Sequence, residues 1–245
     1  MRRSRISKFL LSVFLIVTLL IQWPGPWANA QNAEREYLES GKLDVISLIE
    51  DTISLNYTQF DENGVPYFES DGNIYHNPSS LATRIYLMER LQFPSGPIPK
   101  SQWREGFDIE KIGLQHSSKS NYLALQKYIR SVPVIYEDKT LVADLLYYDY
   151  DYTYNGLTAK APFTSAFAQS KWVQATTFLF AKYPSQETYD MVERAMAGYA
   201  LSLQDGGFAH TFEDGTVWFE EIPLEIPMHI LNAHISSLII LQKAQ

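Results

Sequence analysis

The sequence contains no cysteine among its 245 residues. Without thiols the chain has no disulfide framework, no thiolate nucleophile and no zinc ribbon. Its five histidines are scattered and none has the HExxH spacing of a zinc hydrolase. We therefore expect neither a metal nor another cofactor, and an exported bacterial protein needs no cysteine to be stable.

Positive charge is also scarce once the first thirty residues are set aside. A signal peptide is predicted over residues 1–30. It has a basic start (Arg2, Arg3, Arg5 and Lys8), an apolar run over residues 9–23 and small residues at 28–30. An uncleaved N-terminal anchor is the alternative, although the run is short for a membrane span. Either way we expect a protein that is secreted, periplasmic or held at the cell envelope, with membrane contact only through an uncleaved leader.

Removing this leader takes away four of the 20 basic residues and none of the 28 acidic ones, which leaves a net charge of −12 for residues 31–245. Such a charge argues against nucleic acid as a partner. It also weakens binding of a long polyanion, unless a local cluster such as Lys160, Lys171 and Lys182 faces the ligand. The sequence does not set the oligomeric state.

Helical periodicity dominates the remaining chain. Helices are predicted near residues 43–53, from Asn77-Pro78 onward, near 122–129, and over 165–181, 185–203 and 227–243. Turn signals at Asn63-Gly64, Asp71-Gly72 and Glu213-Asp214-Gly215 predict short hairpins between the helices. The last helix is apolar almost all round and is expected to be buried. No βαβ alternation is present, so the pattern indicates a mainly α fold, a bundle or a toroid.

Four segments resemble one enzyme family. "WFEEIP…ILNAHISSLIIL" from residue 218, "APFTSAFAQSKWVQATTFLFAKY" from 161, "LQDGGFAHTFEDGTVWFEE" from 203 and, more weakly, "IYHNPSSLATRIYL" from 74 are similar to the C-terminal domain of the D-glucuronyl C5-epimerases. The resemblance implies an (α/α) toroid, possibly incomplete, over residues 77–245, preceded by a helix and β-hairpin region over 31–76. It also implies a uronic-acid polysaccharide, heparosan-like, as partner, and removal and return of the C5 proton as the reaction.

The same resemblance implies the site residues. Glu221 would be the catalytic acid–base group, with Asn232 hydrogen-bonding the substrate. Without the family, the position of Glu221 near a helix start suggests only a favourable interaction with the helix dipole. The other residues expected to contact substrate are Gln169, Ser170, Lys171, Glu220, His210 and Tyr75. For the first three of these, an ordinary exposed helix face is the alternative.

The sequence departs from the family where protons are carried. Ile222 and Ser236 stand where the family has tyrosines, and two later family tyrosines fall in segments beyond residue 245. A catalytically inactive or truncated glycan-binding relative is therefore the alternative, and a polysaccharide lyase or uronyl hydrolase is a third possibility. The tract "YYDYDYTY", residues 147–154, offers replacement hydroxyls or a sugar platform, although its alternation also suits a packed strand.

Overall fold

The computed structural model describes residues 59–91, 118–136 and 139–244. The predicted signal peptide, the predicted helix near 43–53 and the proline-rich connection after residue 92 lie outside the described residues. The division into domains at residues 30 and 76 is not tested.

The described residues form five α-helices and ten β-strands, which pair in four small antiparallel sheets. The helices are α1 (Pro78–Leu91), α2 (Ser118–Gln126), α3 (Ala166–Lys182), α4 (Gln186–Ala197) and α5 (Leu231–Lys243). The strands are β1 (Gln59–Phe60), β2 (Pro66–Ser70), β3 (Asn73–Tyr75), β4 (Ile129–Tyr136), β5 (Lys139–Tyr148), β6 (Tyr152–Tyr154), β7 (Leu157–Ala159), β8 (Phe163–Thr164), β9 (Ala209–Thr211) and β10 (Val217–Phe219). The sheets run in the orders β1-β2-β3, β4-β5-β8, β6-β7 and β9-β10.

The predicted (α/α) toroid, possibly incomplete, is wrong. Residues 129–148, taken from the sequence as the end of a helix and an aromatic loop, form the long β4–β5 hairpin, paired from Ile129↔Leu146 to Tyr136↔Lys139. Tyr128 follows Tyr122 and Leu125 at a helical spacing, which suggested a longer helix, but α2 ends at residue 126. The following β-branched residues favour an extended chain. Pro133 is tolerated because β4 lies at the edge of its sheet.

Helix α3 lies at the centre of the helical layer, against α1, α4 and α5. Its inward face includes Trp172 and Phe178, both almost completely buried. The predicted starts of α3 and α4 are confirmed, because the Ser165 hydroxyl accepts from the backbone N–H of Ala168 and Ser185 closes a capping box with Thr188. These caps fix where the two helices begin.

The predicted turns are confirmed as well. Gly64 and Gly72 have φ of +72° and +76°, a backbone conformation that glycine adopts without a steric penalty. The side chain of Asn77 accepts hydrogen bonds from the backbone N–H groups of Ser79 and Ser80 and so caps α1. The hairpin β9–β10 also forms as expected, with His210 opposite Trp218.

The last helix differs from expectation in two ways. It begins at Leu231 rather than near residue 227, and an apolar stripe on it is exposed, so its predicted complete burial is wrong. The stripe consists of Leu231, Ile235, Leu238 and Ile239. Within the described ranges, we find no helix with both the length and the apolar character that a bilayer crossing requires.

Candidate functional site

Two adjacent carboxyl groups are held between β10 and α5. The backbone N–H of Glu220 donates to the Phe208 carbonyl at 2.8 Å, which extends the β9–β10 ladder by one step. The carbonyl of Glu220 accepts from the N–H of Ala166, the first residue of α3, at 2.9 Å. Glu220 and Glu221 are therefore positioned by a hairpin and by a helix start, which makes this stretch of backbone rigid.

The Glu220 side chain is completely buried and binds His229. Its Oε2 accepts from the His229 backbone N–H at 3.0 Å, and its Oε1 lies 3.4 Å from the imidazole Nε2. Burial raises the pKa of Glu220, while the hydrogen bond and the charge of His229, and the charge of His210, oppose that shift. Glu220 thus holds the loop that leads into α5.

The Glu221 side chain turns to different neighbours. Burial raises its pKa, and a hydrogen bond from the Asn232 side chain, in the first turn of α5, partly offsets the rise. Its Oε2 is shielded from solvent and has no hydrogen-bond partner within the described part of the chain. The structure therefore brings the predicted pair Glu221 and Asn232 together and leaves one carboxylate oxygen uncommitted.

Tyr152 also belongs to this site, although sequence reasoning did not single it out. It lies on β6, paired with Ala159 of β7, and its side chain is 41% exposed. Burial of part of the ring, the negative charge of Glu221 and that of Tyr154 raise the pKa of the Tyr152 hydroxyl. The tract of alternating tyrosines was a signal for such a group, but only the folded chain shows which of them lies near Glu221.

A cleft of about 640 Å³ is lined by residues of β8, of β9 and of the segment that follows the acidic pair, but not by Glu220 or Glu221 themselves. Its wall includes Lys160, Phe163, Ser202, His210, Glu225 and Pro227. This volume is within the range of small-molecule sites, and the mixture of aromatic, hydroxyl and charged groups suits a polar ligand. The structure places His210 in the wall of the cleft.

Histidine and aromatic rings form a cluster next to His210. The ring of His229 lies 5.5 Å from His210 and 5.5 Å from Trp218, measured between ring centroids. His234 stacks on Trp218 at 4.2 Å, and its Nδ1 accepts from the Phe219 backbone N–H at 3.2 Å. Burial lowers the pKa of His234, and because Nδ1 accepts a hydrogen bond, the ring carries its proton on Nε2.

Four residues expected at the site have other surroundings. The Gln169 amide is fully buried, donates to the carbonyls of Asp144 and Ala195 and accepts from the N–H of Leu146, so its predicted sugar contact gains no support from the geometry. The buried Ser170 hydroxyl donates to the Phe167 carbonyl, and the Lys171 ammonium lies over the Phe167 ring. Tyr75 packs against Phe68 and Tyr150.

The three lysines considered as a cationic cluster are separated. Lys160 borders the cleft and pairs with the exposed Asp151 at 2.6 Å. Lys182 pairs with the buried Glu89 at 2.8 Å, and Lys171 is nearly buried. Negative ligands would therefore meet Lys160 and the imidazoles rather than a patch of three ammonium groups.

The departure at Ile222 has a structural explanation. Its side chain is 2% exposed and belongs to the apolar core, where a phenol hydroxyl would lack access to solvent and substrate. Ser236 is partly buried. Among the residues that the structure describes, no group of three or more His, Asp or Glu side chains is arranged to hold a metal ion.

Two carboxyl groups whose pKa burial raises, an amide and a phenol lie close together, a combination that makes this region the candidate site for acid–base chemistry. Residues 143–245 match the family described as D-glucuronyl C5-epimerase C-terminus, the same family that the sequence motifs resemble. The matched range runs from β5 to α5 and contains both carboxyl groups. Comparison with curated proteins and comparison with solved structures give no match.

Proposed function

We propose that this chain is an exported uronate C5-epimerase that acts on a heparosan-like polysaccharide by removing and returning the C5 proton. The observation that carries the proposal is the Glu221 carboxyl group, in a range that matches the epimerase family, with one oxygen bound by Asn232 and the other shielded and unpartnered. An uncommitted carboxylate oxygen is what a base needs in order to approach a C–H group.

The chemistry explains why burial of this carboxyl matters. The C5 proton lies next to a carboxylate and is weakly acidic, so the base must bind a proton more strongly than an ordinary glutamate. Burial raises the pKa of Glu221 in the required direction. Asn232 orients the Glu221 carboxyl group. The charge of Glu221 raises the pKa of the partly exposed Tyr152, whose hydroxyl is a candidate hydrogen-bond donor to the sugar.

Glu221→Gln tests this function in deuterated water with a heparosan-like polymer. We expect the wild-type chain to place deuterium at C5 and the variant to do so about 10²–10⁴-fold more slowly, because the amide cannot accept the proton. Mass spectrometry of the digested polymer measures the label. Glu213→Gln, an exposed glutamate in the turn of the β9–β10 hairpin, is the matched control and should exchange at the wild-type rate.

Glycan binding without turnover is the second candidate function, and the burial of Ile222 favours it, since this position supplies no proton carrier. Binding of an oligouronate in calorimetry without isotope exchange would support it. An unsaturated, ultraviolet-absorbing or shortened product would instead indicate a lyase or hydrolase. Absence of both exchange and binding would contradict the epimerase and the glycan-binding proposals together.

A further inference from the structure

The end of the tyrosine-rich tract forms the β6–β7 hairpin. Its two strands pair with Tyr152 opposite Ala159 and with Tyr154 opposite Leu157. Residues that lie opposite each other in an antiparallel pair project from the same face, and so do residues two apart along one strand. These four side chains therefore share one face of the hairpin, which we call the tyrosine face.

The opposite face of the hairpin carries threonines instead. Thr153 and Thr158 lie opposite each other on it, and their hydroxyl oxygens are 2.8 Å apart. Both side chains are exposed to solvent. The aromatic rings of β6 are thus gathered on one side of the hairpin, and the other side offers a place for a control substitution.

The tyrosine face is directed towards the body of the protein, but protein atoms do not fill the space in front of it. Ala159, at the base of this face, is 2% exposed and belongs to the hydrophobic core. Tyr152 and Tyr154 are each 41% exposed, and Leu157 is 42% exposed. The charge of Glu221 raises the pKa of Tyr152, which places this ring beside the candidate site. The face therefore forms an accessible wall that runs from Tyr152 to Tyr154 near the turn.

Both ends of the hairpin are fixed. At the turn, Asn155 and Gly156 have φ of +49° and +79°, the two positive values that a two-residue turn of type I′ requires. At the base, the Asp151 carboxylate accepts hydrogen bonds from the Lys160 ammonium at 2.6 Å and from the backbone N–H of Ala161 at 3.0 Å. The tyrosine rings are therefore held on a support that is already ordered, which lowers the entropic cost of binding a ligand.

The size and the chemistry of the tyrosine face favour a sugar chain as its occupant. Three partly exposed side chains offer far less than the roughly 800 Å² per partner that a stable protein–protein interface buries. A phenol ring has an electron-rich face, on which the C–H groups of a pyranose pack, and a hydroxyl that hydrogen-bonds to sugar hydroxyls. Residues two apart on a strand are separated by about 6.6 Å, so the two rings meet successive sugar residues rather than one.

We propose that the tyrosine face of the β6–β7 hairpin is a sugar-binding platform, on which Tyr154 stacks against the sugar residue next to the one that reacts at Glu221. This inference rests on the proposed epimerase function and names where the adjoining part of the substrate chain binds. Tyr154 takes no part in proton transfer, so it stabilises the bound substrate and the transition state equally. Its loss should therefore raise KM and leave kcat unchanged.

Calorimetry of the full chain with a heparosan-like decasaccharide tests the platform, together with KM and kcat for deuterium exchange at C5. Tyr154→Ala should weaken decasaccharide binding about 3- to 10-fold, the size of a single aromatic contact. Tyr154→Phe keeps the ring and should bind like the wild-type chain. Thr158→Val, of similar shape on the opposite face of the same hairpin, is the matched control and should also bind like the wild-type chain.

Three results would overturn the platform. They are unchanged binding in Tyr154→Ala, an equal loss in Tyr154→Phe or Thr158→Val, and a fall of kcat at constant KM in Tyr154→Ala. The equal losses would assign the effect to the hydroxyl or to the shape of the hairpin, and the fall of kcat would place Tyr154 at the reacting sugar.

The failure of the platform is distinguishable from failure of the epimerase function. Exchange at C5 that persists with unchanged KM in Tyr154→Ala would reject the platform alone. A wild-type chain that binds the decasaccharide through Tyr154 but exchanges no C5 proton would keep the platform and reject the epimerase function. A wild-type chain that does not bind the decasaccharide would reject both.

Discussion

Glu220 and Glu221 are neighbours in the chain, but their carboxyl groups lie in different surroundings. The Glu220 carboxylate accepts one hydrogen bond, from the backbone N–H of His229, and its other oxygen lies 3.4 Å from the His229 ring, whereas Glu221 accepts one hydrogen bond from the Asn232 amide. Burial raises the pKa of both groups, and for Glu220 the neighbouring His229 and His210 oppose the rise. The two residues are thus suited to different tasks, one to positioning and one to proton transfer.

Asn232→Ala should shift the pH dependence of exchange. The Asn232 amide lowers the pKa of Glu221, so its removal leaves burial unopposed and raises that pKa further. A base acts only when deprotonated, so the acid limb of the rate profile should move to higher pH. The profile of deuterium exchange measures this limb.

Gln242→Ala, in the exposed last turn of the same helix, is the control for that shift. Its acid limb should coincide with that of the wild-type chain. An unmoved limb in Asn232→Ala would show that Asn232 does not act on Glu221.

The β9–β10 hairpin is the element that presents His210 and the acidic pair, and its entry depends on Gly207. A Cβ at this position would lie 2.2 Å from the Leu201 carbonyl oxygen, which is backbone and cannot rotate away. The neighbouring Gly206 has φ of +84° and open space around its Cβ position. Gly207 is therefore required because a Cβ would collide with the Leu201 carbonyl, and Gly206 because its φ is positive.

Gly207→Ala should lower the free energy of unfolding by about 3 kcal/mol, because the close contact forces the backbone of the hairpin entry apart. Gly206→Ala should cost only about 1 kcal/mol, the penalty of a left-handed residue with a Cβ. Chemical denaturation of both variants measures the difference. Equal losses would mean that the close approach to Leu201 does not constrain the hairpin.

At the scale of the whole molecule, a buried ion pair joins the helical layer. The Lys182 ammonium at the end of α3 donates to the carboxylate and to the backbone carbonyl of Glu89 in α1, at 2.8 and 2.9 Å. The hydroxyls of Ser118, at the start of α2, and of Tyr183 donate to the same carboxylate. The pair therefore links three helices far from the cleft.

Lys182→Met should destabilise the fold by about 3–5 kcal/mol, since it leaves a buried carboxylate without its partner. The double variant Glu89→Gln with Lys182→Met should recover part of this loss, because no unpaired charge remains. Lys160→Met, which breaks the exposed pair with Asp151, should leave the unfolding midpoint nearly unchanged. If Lys182→Met proves at least as stable as the double variant, the buried carboxylate is not destabilised by the loss of Lys182, which contradicts this account.

The same pair predicts how stability depends on pH. Burial raises the pKa of Glu89, but the hydrogen bonds from Lys182 and Ser118 outweigh it and hold that pKa below the ordinary value of 4.5. A lowered folded-state pKa contributes stability above the unfolded value, which is lost as pH falls through the folded value. Unfolding free energies measured below pH 4.5 should therefore fall less steeply in Glu89→Gln than in the wild-type chain.

Local features of the site and of the fold were predictable from the sequence. Asn77, Ser165 and Ser185 cap helices through bonds to backbone groups two or three residues away, and Gly64 and Gly72 permit turns by their own backbone freedom. The family resemblance named Glu221 and Asn232 for one site, and the two side chains do lie together, although the sequence assigned the Asn232 amide to the substrate rather than to Glu221.

Long-range packing decided the rest. The β4–β5 hairpin was not predicted, because its strands are stabilised by each other and by β8, and the spacing of residues along one strand does not show this pairing. The Gln169 side chain points inward because its amide donates hydrogen bonds to buried carbonyls of β5 and α4, which are distant in the chain. The approach of Tyr152 to Glu221 and that of His229 to His210 arise in the same way, since each joins segments that only the folded chain brings together.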